Sequence, residues 1–428
     1  MSTRAWIVAA EAAARHLRLK PRRHPCRFSD NAERRVHSPG EVGQPRRFSD
    51  NAERRVHSPG TTAACCALLL ALPGSALSAQ TTVAEARDVV RQLVESYGAS
   101  GHEGPVRDVV LGLLPSWAAP QVDTAGNVWV RVGQGAPLVV FVAHMDEIGF
   151  EVTGIRPDGQ LTLRSIGGFM PSLFEAEAAL VHTSGGVVPA VFTLRDSVGT
   201  APRRAPTLAQ AGRVELLIRV DPGTGTQAGT EALGIRAGDV VTMPKQYVDL
   251  AGTRATARSF DDRAGCAAQI LALRRLDRTK LRHAVLFVFS TREETGLLGA
   301  RAVANALGTD AVRVHALDTF VSSDAPLEIH TFADQALGLG PVARAVDNSS
   351  VTPAADVDSL VALARARRIL LQVGTSNGGN DGSMFTRFGV PDVAYGWPLR
   401  YSHSPAEVLD LRDLAAMADL TQAIAERW

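Results

Sequence analysis

The sequence predicts an α/β domain with an all-β unit inserted into it, and three observations carry that prediction. Amphipathic helical segments alternate with short apolar runs on both sides of the middle of the chain. The apolar run at 138–143 is continuous rather than alternating, as a strand buried on both faces requires. Between about residues 154 and 250 the pattern changes to frequent glycine, short β-like runs and turn pairs such as Asp158-Gly159 and Gly185-Gly186.

Taken in order, VAEARDVVRQLVESYG places apolar residues at helical spacing and stops at Gly98, a plausible cap. EGPVRDVVLGLLPSWA reads as a second helix with Pro105 in its first turn, where a missing N–H costs nothing. NVWVRV, a turn at 133–137 and LVVFVAHMD then read as strands. In the middle stretch LTLRSI, AALVHT, VVPAVFT, RVELLIRV and DVVTMP are the β-like runs, and SVGTAPRRAPTLAQAG (197–212) reads as a flexible loop among them. A helix resumes at Arg263, HAVLFVFS follows as a strand, and the α/β pattern continues to the end. The expected division is an α/β domain over 82–153 and 251–428, with the all-β unit over 154–250.

The first 79 residues stand apart. Residues 27–40, RFSDNAERRVHSPG, recur letter for letter at 47–60, and two copies without an apolar face do not make a stacking repeat. Residues 1–60 read as a disordered leader. Residues 61–79 are uncharged, with an apolar run at 63–72 too short for a membrane span of roughly 20 residues and small residues after it. That pattern is a signal peptide, with an export destination outside the cytoplasm or in the periplasm; a misassigned start would leave the protein cytoplasmic. No later stretch is long and apolar enough to span a membrane. The leader holds 13 Lys/Arg against 6 Asp/Glu, a surplus of +7, so the net +1 of the whole chain leaves −6 for the rest. A mildly acidic body excludes nucleic acid as the main partner, since phosphate binding needs clustered positive charge. Cys266 alone of the four cysteines lies beyond the leader, so the domain is stable without an internal disulfide.

The chemistry is carried by four acid- and histidine-rich segments at strand ends, where open α/β sheets place their sites. His144 follows the strand at 138–143, with Asp146 two positions on, on the same face of an extended segment. A carboxylate there can hold the imidazole of a metal-bound histidine. Asp261 and Asp262 open a helix, where simple N-capping is the competing explanation. Glu293 and Glu294 follow the strand at 284–289; adjacent carboxylates repel unless a cation intervenes, so one would bind metal while its neighbour stays free as a general base. Asp318 follows the strand at 312–317, and His403 lies in RYSHS, downstream of a glycine-rich turn at 378–382. Two imidazoles and three carboxylates exceed one tetrahedral zinc with an open position. They suit two divalent ions sharing a carboxylate, and nitrogen–oxygen ligation without thiolate points to zinc, with cobalt or manganese as alternatives.

The segments AHMDEIGF, SFDDRAGC, STREETGLLGA, ALDTFVSSDAP, GGNDG and RYSHSPAE occur in the order of the glutamyl/deblocking aminopeptidases of metallopeptidase family forty-two, which include the tetrahedral aminopeptidases. The sequence resembles that family from about residue 101 to its end. The resemblance implies a three-layer α/β/α zinc-peptidase domain, with the all-β insert a PDZ-like dimerisation domain. It implies that Asp261 bridges the two metals, that His144 and Asp318 complete one site and Glu294 and His403 the other. It further implies that Glu293 is the base and that Asp146 orients His144. Expected partners are peptide substrates with a free N-terminus and other copies of the chain in a homo-oligomer. Competing readings are a related co-catalytic metallohydrolase, a carboxypeptidase or N-acyl-amino-acid deacylase, or a non-catalytic binding protein on the same fold.

Overall fold

The structure, a computed structural model, describes residues 80–194, 218–322, 324 and 335–427. The leader, the expected signal peptide, the loop at 197–212 and most of RVELLIRV lie outside the described residues. Everything described belongs to one unit, Ser75–Trp428.

The chain enters through α1 (Val83–Val94), whose start is a capping box: Thr82 Oγ1 accepts from Glu85 N, and Glu85 Oε2 accepts from Thr82 N. Helix α2 (Gly104–Leu113) carries proline in its first turn. The strands β1 (Gln121–Val122), β2 (Val128–Val132) and β3 (Leu138–His144) follow. Every residue of β3 is buried, because alternate side chains enter different cores. Val139, Phe141 and Ala143 join one apolar cluster, and Leu138, Val140 and Val142 the other.

The barrel strands come next: β4 (Gly149–Ile155), β5 (Leu161–Ile166), β6 (Ala178–Thr183), β7 (Gly186–Phe192), β8 (Val220–Asp221) and, after the short α3 (Gln227–Ala232), β9 (Val240–Thr242). They close in the order β4-β5-β8-β7-β6-β9, so no edge of this sheet is left open. The expected start of the all-β stretch at 154 falls inside β4. Phe150 fills the barrel, its ring centroid 5.0, 5.2 and 5.0 Å from those of Phe169, Phe174 and Phe192.

Beyond the barrel run β10 (Val248–Asp249), β11 (Arg254–Ala257), α4 (Phe260–Arg275), β12 (Ala284–Ser290), α5 (Leu298–Leu307), β13 (Ala311–Ala316) and β14 (Phe320–Val321). The last part holds β15 (Val342–Val346), α6 (Ala354–Arg367), β16 (Gln372–Thr375), α7 (Ser383–Thr386), β17 (Tyr395–Gly396), β18 (Pro398–Leu399), β19 (Glu407–Asp410) and α8 (Leu411–Arg427). The main sheet has the order β1-β2-β12-β3-β13, with β12 and β13 both parallel to β3. Residues of α1, α4 and α8 share one core cluster with this sheet, and residues of α5 and α7 share the other, so helices cover both faces. Bridges Val314–Asp392 and Leu317–Tyr395 extend β13 toward the sheet β16-β15-β17.

Candidate active site

Because β3, β12 and β13 are parallel, their carboxyl ends fall on one edge. His144 ends β3, Glu293 and Glu294 follow β12, and Asp318 follows β13. Asp261 arrives on the turn from β11 into α4, and His403 on the loop between β18 and β19. The structure thus gathers around Asp261 four of the other five residues read as ligands or base. His144 Nε2 lies 3.2 Å from Asp261 Oδ1 and 3.8 Å from Glu293 Oε2. His403 Nε2 lies 3.3 Å from Asp261 Oδ2 and 3.2 Å from Glu294 Oε1. His144, Asp261 and Glu294 each bring one ligand atom within 4.8 Å of the others. Asp318 stands a little apart: Thr319 N donates to its Oδ1 at 2.6 Å, and Arg344 Nη1 lies 3.4 Å from its Oδ2.

The opening of α4 separates its two aspartates. Asp261 and Asp262 have non-helical backbone angles in the first turn of α4, so their carboxylates face different ways. Asp262 Oδ1 accepts from Gly265 N at 3.0 Å and its Oδ2 from His144 N at 2.8 Å. The capping role therefore falls to Asp262, and Asp261 is free to face the imidazoles. Asp146 touches His144 mainly through its backbone: Nδ1 is 3.2 Å from the Asp146 carbonyl oxygen and 3.5 Å from its carboxylate. The carboxylate itself accepts from Glu293 N at 2.9 Å and from Glu294 N at 3.2 Å.

Several participants carry no signal of their own in the sequence. Glu407 accepts from His403 N at 3.0 Å and Asp261 N at 3.3 Å, because β19 pairs with β11 and sets Glu407 opposite Ala257. Asp381, in the glycine-rich turn at 378–382, is buried and takes a hydrogen bond from Ser290 Oγ. The barrel reaches the site through its β5 exit: the Gly168 carbonyl is 2.7 Å from His403 Nδ1, and a Cβ on Gly167 would meet Glu294.

The electrostatics are those of a cation-seeking cluster. Burial, then the neighbouring charges of Asp318, Glu294 and Asp381, hold the Glu293 carboxyl well above its usual range despite His144. Burial likewise pushes Asp318 up to about 7, with Asp261 and Asp381 adding to the shift against Arg344. Burial lowers both imidazoles, yet the surrounding carboxylates outweigh it and hold His144 and His403 well above theirs. The donor set fits divalent metal: imidazole nitrogen and carboxylate oxygen at contact range, with carboxylate repulsion that a cation relieves. Cys266 does not enter it, since its buried Sγ points to the His144 carbonyl oxygen at 3.2 Å.

A sheet with helices on both faces, gathering imidazoles and carboxylates at its carboxyl edge, is the build of an α/β metallohydrolase. Comparison with known proteins narrows that class. Residues 126–420 match the model of the M42 glutamyl aminopeptidase family. The lysyl aminopeptidase of Pyrococcus furiosus is 30% identical over 348 residues, covering 79% of this chain and 96% of that protein. In solved structures, the aminopeptidase APDkam598 of Desulfurococcus kamchatkensis superposes with a TM-score of 0.73 at 29% identity, over 81% of this chain and 96% of that one. The TET1 peptidase of Pyrococcus horikoshii, which assembles into a tetrahedron or a large octahedral shell, gives 0.70 at 30% identity, over 81% and 100%. The chain belongs to the M42 glutamyl aminopeptidase family and is a peptide hydrolase, an aminopeptidase.

Proposed function

We propose that the protein removes N-terminal residues from peptides with a free N-terminus, using two divalent ions, zinc or else cobalt or manganese, and Glu293 as general base. The observation that carries this reading is that His144 and His403 each face one oxygen of Asp261, with Glu294 against His403 on one side and Glu293 beside His144 on the other. Asp261 would be shared, His144 and Asp318 would hold one ion, and Glu294 and His403 the other. Divalent ions held there supply Lewis-acid polarisation of the scissile carbonyl and lower the pKa of attacking water. Glu293 takes the water's proton and returns it to the leaving amine. Asp146 fixes where Glu293 and Glu294 sit by accepting from their backbone N–H groups.

Purified protein is to be assayed for metal content and for hydrolysis of aminoacyl-nitroanilides before and after chelation, with an N-acetylated amino acid as control. Glu293→Gln is expected to keep the metal and lose about 10²- to 10⁴-fold in kcat. Activity that survives complete metal removal, or an unimpaired Glu293→Gln variant, refutes the reading.

Assembly is part of the same proposal. Val187 and Val191 on β7 are half exposed, at 51% and 50%, and Leu194 just beyond is 67% exposed. An apolar outer stripe on the barrel supports its use as a contact between copies of the chain, as does the shell-forming relative. The uncharged run at 61–79 supports export of the enzyme.

A further inference from the structure

Directly behind the loops that carry His144 and Asp261 lies a knot of buried charge that the proposed mechanism leaves unused. Its centre is Glu147, whose side chain is 1% exposed. Lys245 Nζ bonds to Glu147 Oε2, Arg258 Nη2 lies 3.6 Å from the same oxygen, and Arg263 Nη2 lies 3.5 Å from Oε1. The three cationic side chains are 2%, 3% and 0% exposed. Ser259 Oγ also donates to Glu147 Oε2, and Lys245 Nζ donates to Ser259 Oγ at 2.8 Å. Gly98 N occupies Glu147 Oε1 at 3.0 Å.

Each member sits on a segment that bears on the site. Glu147 is three residues past His144, Ser259 is two residues before Asp261, and Lys245 lies on the segment leaving the barrel after β9. Ser259 is held in the left-handed region at φ 72°, a conformation that persists only where its surroundings enforce it.

Stability is a poor reason for this arrangement. Three buried basic side chains outnumber the carboxylate they surround, and desolvating charge offsets much of what pairing returns, enough to bring Lys245 down to about 7. Arg258 Nε and Nη1 and Arg263 Nε are buried without a hydrogen-bond partner. We propose that Lys245 is a positioning residue for the metal centre. By pinning Glu147 to Ser259 it sets the spacing between His144 and Asp261, and ties that spacing to the barrel. The inference rests on the reading of His144 and Asp261 as metal ligands.

The test is zinc binding to metal-free full-length protein, measured by calorimetry on wild type, Lys245→Met and Ser259→Ala. Methionine keeps the apolar stem and removes one of the basic groups, while Arg258 and Arg263 still face Glu147. Lys245→Met is expected to weaken zinc affinity about 10- to 100-fold, without lowering the melting temperature of the metal-free protein. Saturating zinc should then restore kcat with KM unchanged. Ser259→Ala should weaken zinc in the same direction and by less, and it decides the matter if Lys245→Met does not fold. Zinc affinity within twofold of wild type in both variants overturns the proposal, whatever happens to melting. Wild-type protein that binds neither zinc, cobalt nor manganese overturns the reading of the site itself.

Discussion

Asp146 and Glu407 each use both carboxylate oxygens on backbone N–H groups, and each thereby ties its own segment to one distant in the chain. Asp146 holds the Glu293–Glu294 turn, and Glu407 holds Asp261 and His403. Glutamine at 407 would keep one acceptor and turn an NH₂ group toward a backbone donor, which leaves that donor unpaired. Glu407→Gln is therefore expected to weaken metal binding about 10- to 100-fold while the fold survives, as calorimetry and circular dichroism would measure. Unchanged affinity would remove Glu407 from the support of the site. Of these two residues the sequence reveals only one. Asp146 stands two positions from His144 on an extended segment, and that spacing is a signal. Glu407 has none, because its place is decided by the pairing of β19 with β11, which lies some 150 residues earlier in the chain. Asp261 and Asp262 are an intermediate case. Adjacent acids at a helix start are compatible with capping or with a site, and here one residue does each.

At the scale of elements, the longer strands are legible because their periodicity is strong. HAVLFVFS becomes β12, LTLRSI becomes β5 and AALVHT becomes β6, each within a residue of its expected bounds. Two-residue strands such as β14, β17 and β18 are too short to show any period. The closure of the barrel is equally invisible, since it depends on β4 pairing with β9 across the whole insert. One short strand matters to the site. β17 passes so close to Asp318 that a Cβ on Gly396 would collide with the Asp318 carbonyl oxygen. That oxygen is backbone, so the clash cannot be relieved by a side-chain rotation. Gly396→Ala is expected to cost about 1–3 kcal/mol by overpacking and to displace Asp318. Metal analysis should then show loss of one ion while the other remains; full occupancy of both would mean that Asp318 is not needed to hold either.

For the molecule as a whole, the acidic centre links folding to protons and metal. Burial raises Asp381 to about 6 and Asp318 to about 7. Unfolded carboxyls titrate near about 4, so between that pH and their folded values the native protein holds protons that the unfolded chain has lost. Stability contributed by such groups falls as pH rises across this window. The two imidazoles of the site act in the same direction. His144 and His403, raised by the carboxylates around them, keep protons above the usual histidine range, and their stabilisation is lost as pH rises through the folded values. Metal binding reverses the dependence, because the ligands must release those protons and affinity grows as pH rises. Chelated protein should therefore melt at lower temperature at about pH 8 than at about pH 5. Protein saturated with zinc should melt at a temperature that is flat or rising over that range, since bound ligand stabilises the native state by mass action. The gap between the two melting curves is then widest at the alkaline end. Scanning calorimetry at several pH values, with and without chelator, measures that gap, and a gap independent of pH would show that the ion does not compete with protons for these carboxylates and imidazoles.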